Sequence, residues 1–321
     1  MDRLCKCIID DLNYEDFLEG EIVVDGERKG FGLVPRNYET HPLCYSANAR
    51  TLDMDLIDPN EYLERLEEKA AAQSGLQYIR RTHGPNGGSI PSLDQDGQGY
   101  CWNYSGTMCA MIARAVASLD YVRLSGHAAA CMIKNFRDQG GWGAAGLEYG
   151  IEHGYPSVKF WPEKSMSRQH DNEATWENAK LHRVAEYFMD LVPPVYNRNI
   201  SERQICTSLL LDCPGIGDFN WWGHSVALLA LELARKARKA WQSGRTKKGR
   251  PRSRKGILAT DFASLDLNNP KDAEIYYGVF AKRGISSWTD NWGDNGEFVL
   301  EGTRAVLNGG AAIRAVTPSI N

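Results

Sequence analysis

Apolar positions along the chain fall into a few clear patterns. From Cys101 onward, Met108, Ile112, Ala115, Val116 and Leu119 recur at helical spacing, which predicts an amphipathic helix beginning at the cysteine. Pro59 to Ala72 predicts a second, charged helix, with Glu61, Arg65, Glu68 and Lys69 on its polar side and Leu63, Leu66 and Ala70 opposite. Glu21 to Arg28 reads as a short strand running into an Asp25-Gly26 turn, and Thr82 to Ser89 as a Gly/Pro/Asn linker. Further on, helices are predicted at Gly146 to His153 and Trp176 to Met189, with a break at Pro193-Pro194. Ile205 to Leu211 is a β-rich apolar run, punctuated by Gly215-Ile216-Gly217. A strand carrying Val226, Leu228 and Leu229 follows.

Composition narrows the class. A chain of 321 residues can bury a large core and is expected to form about two domains or subdomains. Its 42% hydrophobic and 24% charged residues are ordinary globular values. No hydrophobic run is long enough to cross a membrane and no signal peptide is apparent, so the chain is expected in the cytoplasm, or in a virion or host cytoplasm for a viral source. The eight cysteines are irregularly spaced, and Cys5-x-Cys7 has no second close pair to complete a zinc site.

The candidate chemistry centres on Gln95-Asp96-Gly97-Gln98-Gly99-Tyr100-Cys101-Trp102-Asn103-Tyr104-Ser105. A cysteine in the first turn of a helix meets unpaired N–H groups and the positive end of the helix dipole, which favour the nucleophilic thiolate. Gly97 and Gly99 allow a tight approach that returns the Gln95 side chain toward the sulfur. This stretch resembles the active-site segment of papain-like cysteine proteases, Gln-Gly-x-Cys-Gly-x-Cys-Trp-x-Phe-Ser. Gln95 falls on the oxyanion glutamine, Cys101 on the nucleophile, and Gly99, Trp102 and Ser105 on their counterparts.

Two further landmarks follow in order. Trp221-Trp222-Gly223-His224-Ser225-Val226 resembles the family's Gly-His-Ala-Val strand and sets His224 as the catalytic imidazole. Ser286-Ser287-Trp288-Thr289-Asp290-Asn291-Trp292-Gly293 resembles its Asn-Ser-Trp-Gly-x-x-Trp-Gly, with Ser286 where the family has the asparagine that orients the histidine. Serine is shorter and holds a ring less firmly; Asn291 is a substitute acceptor five residues later. Ile90 to Asp94 matches the family's entry strand, and Phe160-Trp161-Pro162 its Tyr-Pro-Tyr landmark. Gly140 and Gly141 match the glycine pair whose backbone binds an extended substrate, and Trp288 would shield the histidine contact. Secreted members bridge two cysteines at positions that here hold Gln98 and Asp138, a paired loss that a reducing compartment permits.

The resemblance spans roughly residues 90 to 305 and implies an α+β, papain-like fold. A helical left subdomain, with the nucleophile helix, would pack against a β-barrel-like right subdomain across a cleft. The halves would be 90–200 and 201–321, with residues 1–89 an extension that is either propeptide-like or a docking segment. The implied activity is a cysteine endopeptidase with a Cys101 thioester intermediate, His224 as general base and acid, peptide or protein substrates, and no metal or cofactor. A second departure is an insertion whose stretch Arg235 to Lys255 holds eleven positive and no negative side chains, leaving −15 on the rest of a chain of net charge −4. It fits a nucleic-acid backbone or an acidic partner. The alternative reading is a papain-fold structural or assembly protein with little or no activity, using that basic arm.

Overall fold

The computed structural model describes residues 55–185, 203–231 and 307–317 continuously, with shorter stretches at 7–9, 12, 14–17, 22–24, 27–29, 31–38, 40, 188–190, 285–288, 297–300 and 304. The chain is α+β. Its helices are α1 (Tyr62–Ala71), α2 (Leu76–Thr82), α3 (Cys101–Val116), α4 (Gly126–Ile133), α5 (Gly143–Glu152), α6 (Glu173–Lys180) and α7 (203–210). Strands β1 (Cys7–Ile9), β4 (Phe188–Asp190), β5 (Gly215–Phe219), β6 (His224–Leu231), β7 (Ile285–Trp288), β8 (Glu297–Leu300) and β9 (Gly309–Ile313) form a seven-stranded sheet. Its order is β1-β8-β7-β6-β5-β9-β4, so β5 and β6 lie inside and β1 and β4 at the edges. β1 joins β8 in parallel and every other pairing in this sheet is antiparallel. β2 (Ile22–Val24) and β3 (Glu27–Lys29) form a separate hairpin, with Val24 opposite Glu27 across the expected Asp25-Gly26 connection.

α3 is the axis of the helical half. It is not the amphipathic helix that the spacing predicts: all residues from Cys101 to Ala115 are buried, and only Val116 at its end reaches solvent. Small residues make this possible. A Cβ at Gly146 of α5 would lie 2.6 Å from Asn103 Oδ1, and one at Gly106 would sit 3.5 Å from the Ile216 side chain of β5. Close approach from both the helical and the sheet side encloses the helix, and its buried polar side chains bond within the protein, Asn103 Nδ2 to the Gly126 carbonyl at 2.7 Å and Thr107 Oγ1 to the Asn103 carbonyl at 2.9 Å.

Other expectations are corrected. Ile205 to Leu211 is helical rather than β (α7), because its buried residues pair at i and i+4: Ile205 with Leu209, Cys206 with Leu210. Ser208 Oγ donates back to the Gln204 carbonyl at 2.8 Å, a bond only a helical turn allows. The helix predicted over Trp176 to Met189 stops at Lys180, after an Asn172 cap on the Thr175 N–H at 3.1 Å. Beyond it the backbone bonds elsewhere: Val184 N–H to Gly150, Ala185 N–H to Ala315, and β4 to β9. Ile90 to Asp94 joins no ladder; Pro91 lacks an N–H and the Ile90 N–H goes to the Arg80 carbonyl at 2.7 Å. Gly215-Ile216-Gly217 is the core of β5, not a break, since Ile205 and Leu228 fill the space side chains would take there. On α1 it is Tyr62 and Leu66 that pack inward, while Ala70 is exposed and Lys69 pairs with Asp212 at 2.6 Å.

The extension is woven into this architecture. β1 is an edge strand of the main sheet, Tyr62 and Leu76 join the common core, and the Ile57 N–H donates to Thr207 Oγ1 at 3.0 Å. The basic stretch 235–256 lies outside the described residues. No helix among the described residues is long and apolar enough to cross a membrane.

Candidate active site

Cys101 is the first residue of α3, and the helix start carries no side-chain cap. The positive end of the helix dipole therefore lies at the cysteine's end of the helix. Trp102 anchors the turn: its indole N–H donates to the carbonyls of Gly99 at 3.0 Å and Gln139 at 3.3 Å. The loop before the cysteine is tied to the loop before the glycine pair by Asp138, whose Oδ1 accepts from the Gly99 N–H at 2.7 Å. Gln98 bonds instead to the buried His127, Nε2 to Oε1, at 2.5 Å. The loop before Cys101 and the loop before Gly140 are thus joined by a carboxylate hydrogen bond.

His224 opens β6 and is fully buried. Its ring lies 4.5 Å from that of Phe31 and 4.9 Å from that of Trp222, centroid to centroid. Desolvation pushes its pKa down to about 3, so the imidazole is neutral at physiological pH. The following residue, Ser225, is hydrogen-bonded to Ser105 of α3 at 3.0 Å between hydroxyl oxygens. Ser105 stands one turn beyond Cys101, so this contact joins the cysteine's helix to the histidine's strand.

A short segment of the extension lies across this junction. Gly141 donates its N–H to the Gly32 carbonyl at 2.9 Å, and the Val34 N–H donates to the Gly141 carbonyl at 2.9 Å, a parallel bridge centred on Leu33. The Leu33 N–H donates to the Gly223 carbonyl at 3.0 Å, next to His224. Gln95 Nε2 donates to the Phe31 carbonyl at 2.9 Å and also to that of Gln98. Gly32 has φ +109° and packs so tightly that a Cβ would fall 2.2 Å from the Gly99 carbonyl carbon, so only glycine fits. Phe31 is buried against His224 and Trp222. Gln95, the expected oxyanion donor, and Gly141, expected to hold a substrate, thus hold residues 31–34 of the chain itself, and a Cβ at Gly140 would strike Val34.

Ser286 and Trp288 sit on β7, where the ladder sets Ser286 opposite Ala230 and Trp288 opposite Ala227. Ala230 is six residues from His224 along β6, about 20 Å at strand rise. The ladder therefore does not bring Ser286 to the imidazole, because its pairing partner lies near the far end of the strand. Asn291 lies outside the described residues. Gln95, Gly141 and His224 are gathered around residues 31–34, and Gly99, two residues before Cys101, packs against Gly32; the ladder sets Ser286 elsewhere. Sequence reasoning passed over Phe31 to Val34, whose one signal is a short apolar run, and Asp218, an unremarkable aspartate in the chain that is buried beneath Ser225. Among the described residues no cluster of His, Cys, Asp or Glu side chains has the makings of a metal site.

No protein-family model and no curated protein matches the chain. Among solved structures it is similar to xylellain, a cysteine protease from Xylella fastidiosa, at 12% identity and a TM-score of 0.47, covering 90% of this chain and 97% of that one. It is also similar to digestive procathepsin L 3 of the Tenebrio molitor larval midgut (10% identity, TM-score 0.43, 78% and 86% coverage). The recombinant stem bromelain precursor gives 10% identity, a TM-score of 0.41, and 71% and 66% coverage.

Proposed function

We propose that the chain is a papain-like thiol peptidase acting on peptide or protein substrates, held latent by residues 31–34 of its own extension. One observation carries the reading. An extended peptide is bound by the Gly141 N–H and carbonyl, the Gly223 carbonyl and the Gln95 amide, the groups a peptide substrate would require.

With that segment withdrawn, water reaches His224 and its basicity returns toward the ordinary histidine value. His224 then takes the Cys101 proton, and the thiolate attacks the scissile carbonyl to form a tetrahedral adduct. Gln95 Nε2, released from Phe31, and the Cys101 N–H stabilise its oxyanion. The imidazolium gives its proton to the departing amine, and water attacks the thioester with His224 as base, releasing the acid and regenerating the thiol. With the segment in place two steps fail together: the neutral, buried His224 supports no ion pair, and the oxyanion donor is already engaged.

Residues 1–89 serve in this reading as a regulatory extension rather than a docking arm, and residues 90–321 as the peptidase. The paired loss at Gln98 and Asp138 supports an intracellular location. The competing reading is a structural protein on the same fold, and the displacement of Ser286 from His224 favours it. Gly32→Ala decides between them, since its Cβ cannot coexist with the closed segment. A peptidase variant of this kind hydrolyses a mixed fluorogenic peptide library, and Gly32→Ala/Cys101→Ala does not. No hydrolysis by Gly32→Ala, with Cys101 freely alkylated, would establish the structural reading.

A further inference from the structure

Beneath the candidate site lies a buried carboxylate to which the mechanism above gives no role. Asp218 of β5 stands directly opposite Ser225 in the β5–β6 ladder and is 7% exposed. Ser225 Oγ donates to Asp218 Oδ1 at 2.7 Å. A hydroxyl has one proton, so with it directed to the carboxylate, Ser225 can only accept from Ser105 across the 3.0 Å contact. The other acceptor within reach of Ser105 is the Trp102 carbonyl, at a weaker 3.4 Å. Hydrogen bonds therefore run in one direction, from Ser105 through Ser225 to Asp218.

The carboxylate has a second neighbour. Gly143, first residue of the ten-residue α5, packs against the carboxylate, since a Cβ there would lie 3.1 Å from Asp218 Oδ1 and 3.2 Å from Ser225 Oγ. Gly143 follows Gly141, which holds residues 32–34, by two residues. One side chain thus ties together the helix bearing Cys101, the strand bearing His224 and the loop bearing Gly141. The charged side chain facing it is Arg36, from the continuation of the covering segment.

Resting on the peptidase reading, we propose that Asp218 is a positioning residue: through Ser225 and Ser105 it fixes the separation of the nucleophile helix from the histidine strand, and through Gly143 the height of the glycine rail. An ion pair between a thiol and an imidazole weakens with small displacements, because its energy depends inversely on separation. A loosened tie therefore raises the pH at which Cys101 becomes reactive, which loss of packing elsewhere would not do.

The test uses the full chain in the Gly32→Ala background, reading the pH midpoint of Cys101 alkylation by iodoacetamide. Asp218→Ala and Ser225→Ala are expected to raise that midpoint by about one unit, or about tenfold in rate on the acid limb. Ser105→Ala shifts it the same way by less. Asp218→Asn, which keeps an acceptor for Ser225, recovers most of the loss. Should Asp218→Ala fail to fold, Ser225→Ala, which removes only a hydroxyl, gives the answer by itself. A midpoint unmoved by Ser225→Ala and Asp218→Ala overturns the positioning role and leaves the peptidase reading intact. Absence of any low-pH reactivity in the Gly32→Ala parent overturns both.

Discussion

Phe31 covers His224: the two rings are 4.5 Å apart at 38° and both are buried, while the Phe31 carbonyl takes the amide proton of Gln95 at 2.9 Å. One residue of the extension thus dries the candidate base and occupies the candidate oxyanion donor. Its neighbour Gly32 is where this arrangement is easiest to break, because its backbone has a positive φ and an added Cβ would fall 2.2 Å from the Gly99 carbonyl, leaving no room for a methyl group. Gly32→Ala is therefore expected to expose Cys101 and speed its alkylation at pH 7 at least about tenfold, equivalent to about 1.4 kcal/mol of opening. Equal rates in Gly32→Ala and the unaltered chain would show that the segment does not guard the sulfur.

Acid stability reports the buried imidazoles. Desolvation lowers the pKa of His224 to about 3 and those of His127 and His182 to about 4. As pH falls below about 6.5 the unfolded chain protonates these histidines while the folded chain does not, so stability is present above that pH and is lost on acidification. Each contributes a slope of about 1.4 kcal/mol per pH unit between its unfolded and folded values. Asp218 acts in the opposite sense: burial raises its pKa, so its contribution is greatest in acid and is lost as pH rises through the folded value. Three groups against one predict urea midpoints that fall steadily from pH 6.5 to pH 4.5. A flat profile would contradict the burial of these rings.

Asp138 ties two loops together, holding the Gly99 N–H at 2.7 Å across thirty-nine residues of sequence separation. Asp138→Ala should cost about 1 kcal/mol in urea unfolding and loosen the approach to Cys101, while Asp138→Asn, which keeps an acceptor, costs less. No change with alanine would show the contact to be incidental.

Ser286 is opposite Ala230, and Trp288 opposite Ala227. The sequence offers Asn291 as a substitute acceptor, which makes it the residue to substitute beside Ser286. In the Gly32→Ala background, Asn291→Ala is expected to lower peptide hydrolysis by about ten- to a hundredfold, the usual effect of losing an orienting group, or about 1.4–2.7 kcal/mol. Ser286→Ala is expected to leave the rate within about twofold. The reverse ranking would restore Ser286 as the orienting residue.

What could be read in the sequence follows from where the signals are stored. The helix at Cys101 and the strand at His224 were legible because local motifs and apolar runs specify them. The burial of α3 on every side was not, since it depends on glycines of α5 and side chains of β5 that lie far away in sequence. α7 was misread because Ile205 and Thr207 are β-branched residues of the kind enriched in strands, while the i, i+4 pairing of Ile205 with Leu209 decides otherwise once packed. The covering role of residues 31–34 rests on backbone hydrogen bonds to Gly141 and Gly223, and backbone groups leave no mark in sequence. Asp218 looks like any aspartate until the ladder sets it under Ser225.

In the peptidase reading a reactive thiol–imidazole pair lies beneath a removable segment of the same chain. The measurement that tests it most directly is the pH profile of Cys101 alkylation in Gly32→Ala, read by peptide mass spectrometry, with Gly32→Ala/His224→Ala as its control. The account predicts rapid labelling at pH 5–6 that the histidine substitution abolishes, and slow labelling of the unaltered chain. Labelling that rises only near the ordinary thiol value of about 8.5, whether or not His224 is present, would contradict it.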